Sequence, residues 1–198
     1  GATEVCGDGL NNDCDDDTHC GLANMSLSDY DRVWEGTSEN GAVGFSVAGL
    51  GDVDDDGYDD YAVGKPDQSE TTAGTAYVVY SDADGYRSLE SMSGVTVGDR
   101  TGYSVAGVGD VDGDGLPDVC VGSRYESTNA SLAGAAALVL SPDVASDTLD
   151  NIAEAMLYGE GSEDYAGSAV AGVGDVDNDG YDDFLVGAPK YNNGGYAF

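Results

Sequence analysis

The chain has 198 residues and a formal net charge of −33 at pH 7, from 39 acidic and 6 basic residues. This charge argues against nucleic acid and anionic membrane surfaces as partners, because like charges repel. No apolar run approaches the roughly 20 residues of a membrane span, and the 31 glycines and 13 tyrosines favour many short strands joined by tight turns.

The first 23 residues form a cysteine- and aspartate-rich segment with too little apolar content to build a core. Cys6, Cys14 and Cys20 lie in this segment, so we expect a disulfide to stabilise it. Spacing alone does not fix the connectivity, and Cys6–Cys14 is the preferred pair. A disulfide predicts an oxidising, extracytoplasmic setting and therefore a secreted or cell-surface protein. The fourth cysteine, Cys120, lies in a predicted strand, where we favour a buried free thiol.

The same N-terminal segment carries a candidate metal site. Its sequence EVCGDGLNNDCDDDTHC (4–20) resembles the short cysteine-bearing acidic motif of secreted bacterial proteins. Asn11, Asp13 and Asp15 have the first, third and fifth spacing of calcium ligands. Two positions depart from a calcium loop, because the sixth is an aspartate and the ninth a histidine. Despite these departures, the spacing makes Asn11, Asp13 and Asp15 the candidate ligands of a further calcium ion.

From residue 24 onward, the sequence predicts short strands in a recurring order. SDYDRVWEG (28–36) is a weak strand, and FSVAGLGDV, YAVG and AGTAYVVY (73–80) follow it as stronger ones. The last of these is rich in β-branched and aromatic residues, which favour strands. RSLESMSG (87–94) and IAEAMLYG (152–159) are weaker strands, although AEAML also fits a helical turn.

Three segments align without a gap and define an internal repeat. They are GFSVAGLGDVDDDGYDDYAVG (44–64), GYSVAGVGDVDGDGLPDVCVG (102–122) and GSAVAGVGDVDNDGYDDFLVG (167–187). Four short antiparallel strands in each repeat are typical of a β-propeller blade, so we predict an all-β fold. The predicted bounds are 24–198 for this domain and about 28–82, 87–141 and 152–198 for its blades.

Each repeat contains the same acidic loop, namely GDVDDDGYDD (51–60), GDVDGDGLPD (109–118) and GDVDNDGYDD (174–183). Carboxylates stand at the first, third and fifth positions, glycine at the sixth and aspartate at the ninth. This is the spacing by which a tight loop wraps oxygen ligands around Ca²⁺. The alternatives are an acidic turn without metal and a halophile-type acidic surface.

The repeat resembles a known family. Gly-Phe/Tyr-Ser-Val-Ala, the acidic loop and Val-Gly-Lys/Ala-Pro resemble the FG-GAP repeat of integrin α-subunit β-propellers and their microbial relatives, although the second repeat has VGSR instead. The resemblance implies three Ca²⁺ sites, each with four carboxylates and one backbone carbonyl. The implied ligands are Asp52, Asp54, Asp56, Asp60 and the Tyr58 carbonyl; Asp110, Asp112, Asp114, Asp118 and the Leu116 carbonyl; and Asp175, Asp177, Asp179, Asp183 and the Tyr181 carbonyl.

The predicted strands do not complete a ring. The sequence starts with a fourth-strand-like segment (28–36) and ends inside the third strand of the last unit (194–198). Three blades cannot close a propeller, and an open array leaves unpaired edges. Two explanations stay open. The rest of a larger chain completes the ring, or the N-terminal strand of one copy completes the last blade of its neighbour, which gives a closed ring or a fibre.

The sequence predicts a binding protein rather than an enzyme. The single histidine and the strand cysteine form no catalytic triad, and every conspicuous aspartate already has a metal-ligand role. We predict a secreted calcium-binding module for adhesion or for binding an extracellular protein or glycan. Its contacts would come from variable loops 65–73, 123–132 and 188–194, with Tyr125 and Tyr191. The alternative is a structural subunit of an extracellular fibre or surface assembly.

Overall fold

The computed structural model describes residues 41–68, 71–83, 87–141, 146–191 and 194–198. The predictions for the N-terminal cysteines, for Asn11, Asp13 and Asp15, and for the strand at 28–36 lie outside the described residues. The described part confirms the all-β class, because it consists of three separate sheets of three to five strands.

The first sheet follows the predicted order of four antiparallel strands. Its strands are β1 (Ser46–Gly51), β2 (Asp60–Lys65), β3 (Thr75–Tyr80) and β4 (Ser88–Ser93). The second sheet repeats this order with β5 (Thr101–Gly109), β6 (Asp118–Ser123), β7 (Ala135–Val139) and β9 (Ala155–Tyr158). The third contains β10 (Ala169–Gly174), β11 (Asp183–Ala188) and β12 (Tyr196–Ala197).

In the first two sheets, the fourth strand pairs with the third strand that precedes it. Tyr77 of β3 lies opposite Ser91 of β4, and Ala137 of β7 lies opposite Met156 of β9. The pairing therefore groups Ser88–Ser93 with the strands before it, whereas the predicted segment 87–141 begins with these residues. The helical alternative for AEAML is wrong, because Ala155–Tyr158 is a strand and the helical turn lies earlier, at α1 (Leu149–Ile152).

One connection crosses between sheets. After β7 the chain forms β8 (Asp147–Thr148), which pairs in parallel with Met92 and Ser93 at the edge of the first sheet. Leu149, which follows it, is buried in the same core cluster as Met92. The long connection of the second sheet therefore fastens it to the first.

Neighbouring sheets pack face to face through small residues. The first strands of the three sheets pack together, because β5 contacts both β1 and β10. Gly64 of the first sheet and Gly122 of the second each contact the next sheet so closely that a Cβ would lie 2.1 Å from a carbonyl oxygen, that of Gly102 or Gly167 respectively. Only glycine fits such an approach. Cys120 lies in the second of these interfaces as a buried free thiol, as predicted.

Candidate metal centres

Each acidic loop connects the first and second strands of its sheet, and three of its carboxylates converge. In every loop the carboxylates of the first, third and ninth positions offer oxygens that lie within 4.8 Å of one another. A bulge precedes each loop, at a glycine with positive φ (Gly51 at 82°, Gly109 at 77° and Gly174 at 72°). The converging groups are Asp52, Asp54 and Asp60; Asp110, Asp112 and Asp118; and Asp175, Asp177 and Asp183.

The first aspartate of each loop holds the loop backbone in place. Asp52 accepts hydrogen bonds from the N–H groups of Asp56 (3.0 Å) and Gly57 (2.8 Å). The same pair of bonds recurs at the other two loops. Asp110 accepts from Asp114 at 3.1 Å and Gly115 at 2.9 Å, and Asp175 accepts from Asp179 and Gly180 at 3.0 Å each. The loop is thus already wrapped around its first carboxylate.

The ninth aspartate is the most buried member of the set. One oxygen of Asp60 accepts from the Val53 N–H at 3.1 Å, and the other accepts from the Ser81 N–H at 2.8 Å. Asp118 is bonded in the same way, to Val111 and Ser141, both at 2.9 Å. Burial raises the pKa of both carboxyls, these hydrogen bonds oppose the rise, and neighbouring loop carboxylates add to it.

The fifth aspartate stands apart from the converging set. One oxygen of each accepts the backbone N–H two residues later, at 2.8 to 3.0 Å. These residues are Asp56, Asp114 and Asp179. Their metal-ligand role, and that of the Tyr58, Leu116 and Tyr181 carbonyls, stays a prediction.

The fourth position of each loop has a backbone requirement that the acidic spacing does not predict. The sixth-position glycines have φ of 92°, 96° and 99°, as a tight loop needs, but the fourth residue is also left-handed. These fourth residues are Asp55 (59°), Gly113 (82°) and Asn178 (61°). Aspartate, glycine and asparagine are the residues that best tolerate this conformation, so their occurrence at this place was the available signal.

The donor set fits a divalent cation that prefers oxygen. Oδ1 of Asp54 is buried and has no hydrogen-bond partner, which is costly for a carboxylate unless a cation lies beside it. Three converging carboxylates would also repel one another without a counter-charge. Such all-oxygen sites suit Ca²⁺, and the first, third and ninth aspartates of each loop would hold it.

The opposite end of the sheets carries a cluster of basic and aromatic side chains. Arg124 lies 4.8 Å from the ring centre of Tyr103 and 5.0 Å from that of Tyr165. Arg100 stacks on Tyr125 at 4.4 Å. The sequence predicts Tyr125 as a contact residue but does not predict the two arginines. The sequence signal for Arg124 is the VGSR of the second repeat, which departs from the Val-Gly-Lys/Ala-Pro pattern and places the arginine in this cluster.

The other predicted contact tyrosine, Tyr191, lies against the last strand. Its ring contacts those of Tyr196 and Phe198 edge-on, both at 5.4 Å between centres. Its hydroxyl is 2.6 Å from Oε2 of Glu160. Tyr191 therefore joins the third sheet to the segment that follows β9.

Comparison with known proteins finds the FG-GAP repeat at residues 101–139 and 166–198, which cover the second and third repeats. The chain is 37% identical to integrin alpha pat-2 of Caenorhabditis elegans over 103 residues, which are 49% of this chain and 8% of that protein. It is 33% identical to integrin alpha-5 of Xenopus laevis over 153 residues (74% of this chain and 14% of that protein).

A third relative is integrin alpha-PS2 of Drosophila melanogaster, with 30% identity over 163 residues, 77% of this chain and 11% of that protein. The chain thus spans a small part of the length of these relatives, between 8% and 14%. The matches support an integrin-like FG-GAP protein. Among the described residues, no helix has the length and apolar character needed to cross a membrane.

Proposed function

We propose that the chain is a non-enzymatic, secreted, calcium-binding β-propeller module that acts in extracellular adhesion or in binding a protein or glycan. The observation that carries this proposal is the recurrence of one carboxylate arrangement at the same end of three adjoining sheets. The likeness to integrin α chains supports an integrin-type extracellular module.

Calcium in this proposal has a structural role. It would neutralise the converging carboxylates and so remove the repulsion that opposes the wrapped loop. An ion bound only by the folded state adds about 2.7 kcal/mol at a free concentration 100 times its Kd. Three such sites would make the stability of the module depend strongly on free calcium.

The opposite end of the sheets supplies the binding surface. Loops on the two sides of a strand lie at opposite ends of a sheet, so the variable loops lie away from the acidic ones. Four of the five basic residues in the described ranges lie at or beside these variable loops, namely Lys65, Arg100, Arg124 and Lys190. We infer that this end contacts a protein or glycan, while the calcium end fixes the sheets.

The test compares thermal unfolding in millimolar Ca²⁺, in the same concentration of Mg²⁺ and in excess chelator. The expected result is a midpoint raised by Ca²⁺ and much less by Mg²⁺, which keeps its waters and prefers few carboxylates. An Asp112→Ala and Asp177→Ala double variant should lose most of the calcium effect. An unchanged midpoint after chelation contradicts the proposal.

A second candidate function is assembly of copies, and the third sheet favours it. Val173 is 39% exposed, whereas its counterparts Leu50 and Val108 are 4% and 1% exposed. Leu185 is 43% exposed, whereas its counterpart Cys120 is fully buried. The outward face of the third sheet is thus the apolar face that the first two sheets bury against a neighbour.

The first sheet offers a matching surface on its other side. Val47 is 69% exposed, whereas its counterpart Val105 is 7% exposed and packs against the first sheet. Docking of the third sheet on the first sheet of another copy would repeat the contact already made twice within the chain, and such head-to-tail contacts give rings or fibres. Light scattering with size exclusion tests this. Mass that grows with concentration and falls in Leu185→Lys supports assembly, and a monomer at every concentration rejects it.

A further inference from the structure

The first acidic loop differs from the other two because an arginine already contacts its carboxylates. Nη1 of Arg87 donates to Oδ2 of Asp56 at 2.7 Å, and Nη2 forms an ion pair with Oδ2 of Asp54. No basic side chain in the described ranges forms an ion pair with the aspartates of the second and third loops. The guanidinium is therefore a feature of the first loop alone.

The connection from β3 to β4 positions Arg87 beside the first acidic loop. Ser81, which follows β3, donates its N–H to Asp60, so the connection from β3 to β4 lies at the calcium end of the sheet. Arg87 ends this connection, and its backbone N–H donates to the Tyr80 carbonyl at 2.8 Å. Its guanidinium also lies 5.4 Å from the ring centre of Tyr80. The side chain is still 42% exposed, so it can leave the loop without unpacking the core.

The first loop has the most charge to compensate. Its ten residues hold six acidic side chains, whereas the second and third loops hold four and five. The two carboxylate oxygens of Asp54 have different surroundings. Oδ2 faces Arg87, whereas Oδ1 is buried without a hydrogen-bond partner. Arg87 thus supplies one positive charge where a metal ion would supply two.

We propose that Arg87 is an internal counter-cation that competes with Ca²⁺ for the first loop, so that this loop binds the ion more weakly than its carboxylates alone would. The inference rests on the proposed calcium binding. Without calcium, Arg87 holds the first loop closed, and the other two loops, which lack it, depend more on the ion. A single positive charge roughly 6 Å from a divalent cation weakens its binding about tenfold, even at the dielectric constant of water.

The test is an NMR titration with ¹⁵N-labelled glycine, because each loop has its own reporter. The N–H groups of Gly57, Gly115 and Gly180 bond to the first aspartates of the three loops, so their signals shift when the loops bind metal. In the unaltered protein, the Gly57 signal gives the Ca²⁺ midpoint of the first loop. In Arg87→Gln its midpoint should fall about tenfold.

The matched control is Lys65→Gln, which removes the same charge from the far end of β2 and should leave the Gly57 midpoint within about twofold. Arg87→Lys serves as a second variant if Arg87→Gln does not fold. It keeps the charge but not the forked contact, so it should lower the midpoint less.

The possible outcomes separate this inference from the proposed function. If none of the three glycine signals responds to Ca²⁺, the proposed function fails. If Gly115 and Gly180 respond while the Gly57 midpoint in Arg87→Gln stays unchanged or rises, calcium binding stands and the competition is overturned. A Gly57 midpoint that falls in Arg87→Gln but not in Lys65→Gln supports the proposal.

Discussion

Replacing Gly122 by alanine should strongly destabilise the contact between the second and third sheets. The added Cβ would lie 2.1 Å from the Gly167 carbonyl oxygen and 2.2 Å from Oγ of Ser104. Ser104 cannot simply turn away, because its hydroxyl donates to the same carbonyl at 2.8 Å. The sheets must therefore separate by about 1 Å, which is a large change for a close-packed interface.

The cost can be worked from two contributions. Overpacking of a close-packed interior costs about 1–3 kcal/mol, and loss of the Ser104 hydrogen bond costs about 0.5–1.5 kcal/mol. We therefore expect Gly122→Ala to lower the free energy of unfolding by about 2–4 kcal/mol. For a chain of this size, that is a fall of about 4–16 °C in the thermal midpoint.

The third sheet provides the matched control. Gly187 is the counterpart of Gly122, but its Cβ would meet only Ala169, at an ordinary 3.5 Å. Gly187→Ala should therefore change the free energy of unfolding by less than about 0.5 kcal/mol. Urea denaturation of both variants at saturating Ca²⁺, followed by circular dichroism, measures the difference. Equal losses in the two variants would refute the close-contact reasoning.

Two further changes test individual side chains. Asp118→Ala leaves the Val111 and Ser141 N–H groups unpaired and should cost about 3 kcal/mol in urea denaturation even in chelator, whereas Asp112→Ala, which is exposed, should cost little there and mainly reduce stabilisation by Ca²⁺. Burial raises the pKa of the Cys120 thiol to about 12. Because the folded-state pKa is the higher one, this thiol's contribution to stability is complete below about pH 8.5 and is lost progressively above it. Peptide mapping should find Cys120 alkylated in urea but not in the native protein, and native alkylation at neutral pH would contradict its burial.

The repeat made most of the fold predictable. Alternating small and apolar residues lie next to an acidic turn three times. Because the pattern recurs, each copy strengthens the strand prediction for the others, and the first two strands of every sheet are predicted. The convergence of the first, third and ninth carboxylates was predictable for the same reason, since a tight loop leaves those side chains few directions.

The features that sequence reasoning missed depend on distant contacts. β8 has two polar residues, Asp147 and Thr148, and no apolar alternation that would indicate a strand. It forms only because the edge of β4 lies beside it. The ion pairs of Arg87 join residues about thirty positions apart and follow from the place where the β3–β4 connection ends. No local pattern contains that information.

The order of the sheets also explains why the third acidic loop is the most exposed. The eighth residue of the second and of the third loop contacts the loop before it. Pro117 lies beside Gly51, with 3.1 Å between its Cγ and an added Cβ there. Asp182 accepts the Asp110 N–H at 3.1 Å and donates its own N–H to the Asp110 carbonyl at 2.9 Å. The first and second loops are thus each buttressed by the loop that follows.

The third loop has no such neighbour among the described residues, and Val176 within it is 69% exposed, whereas its counterpart Val53 is fully buried. A sheet docked on the outward face of the third would supply the missing eighth residue and bury Val176. Docking and calcium binding should therefore strengthen each other, because both order the third loop, which takes part in both events. In an assembly of copies, the Gly180 signal should then shift at a lower Ca²⁺ concentration than in the dispersed Leu185→Lys variant, and equal midpoints would show that the two events are independent.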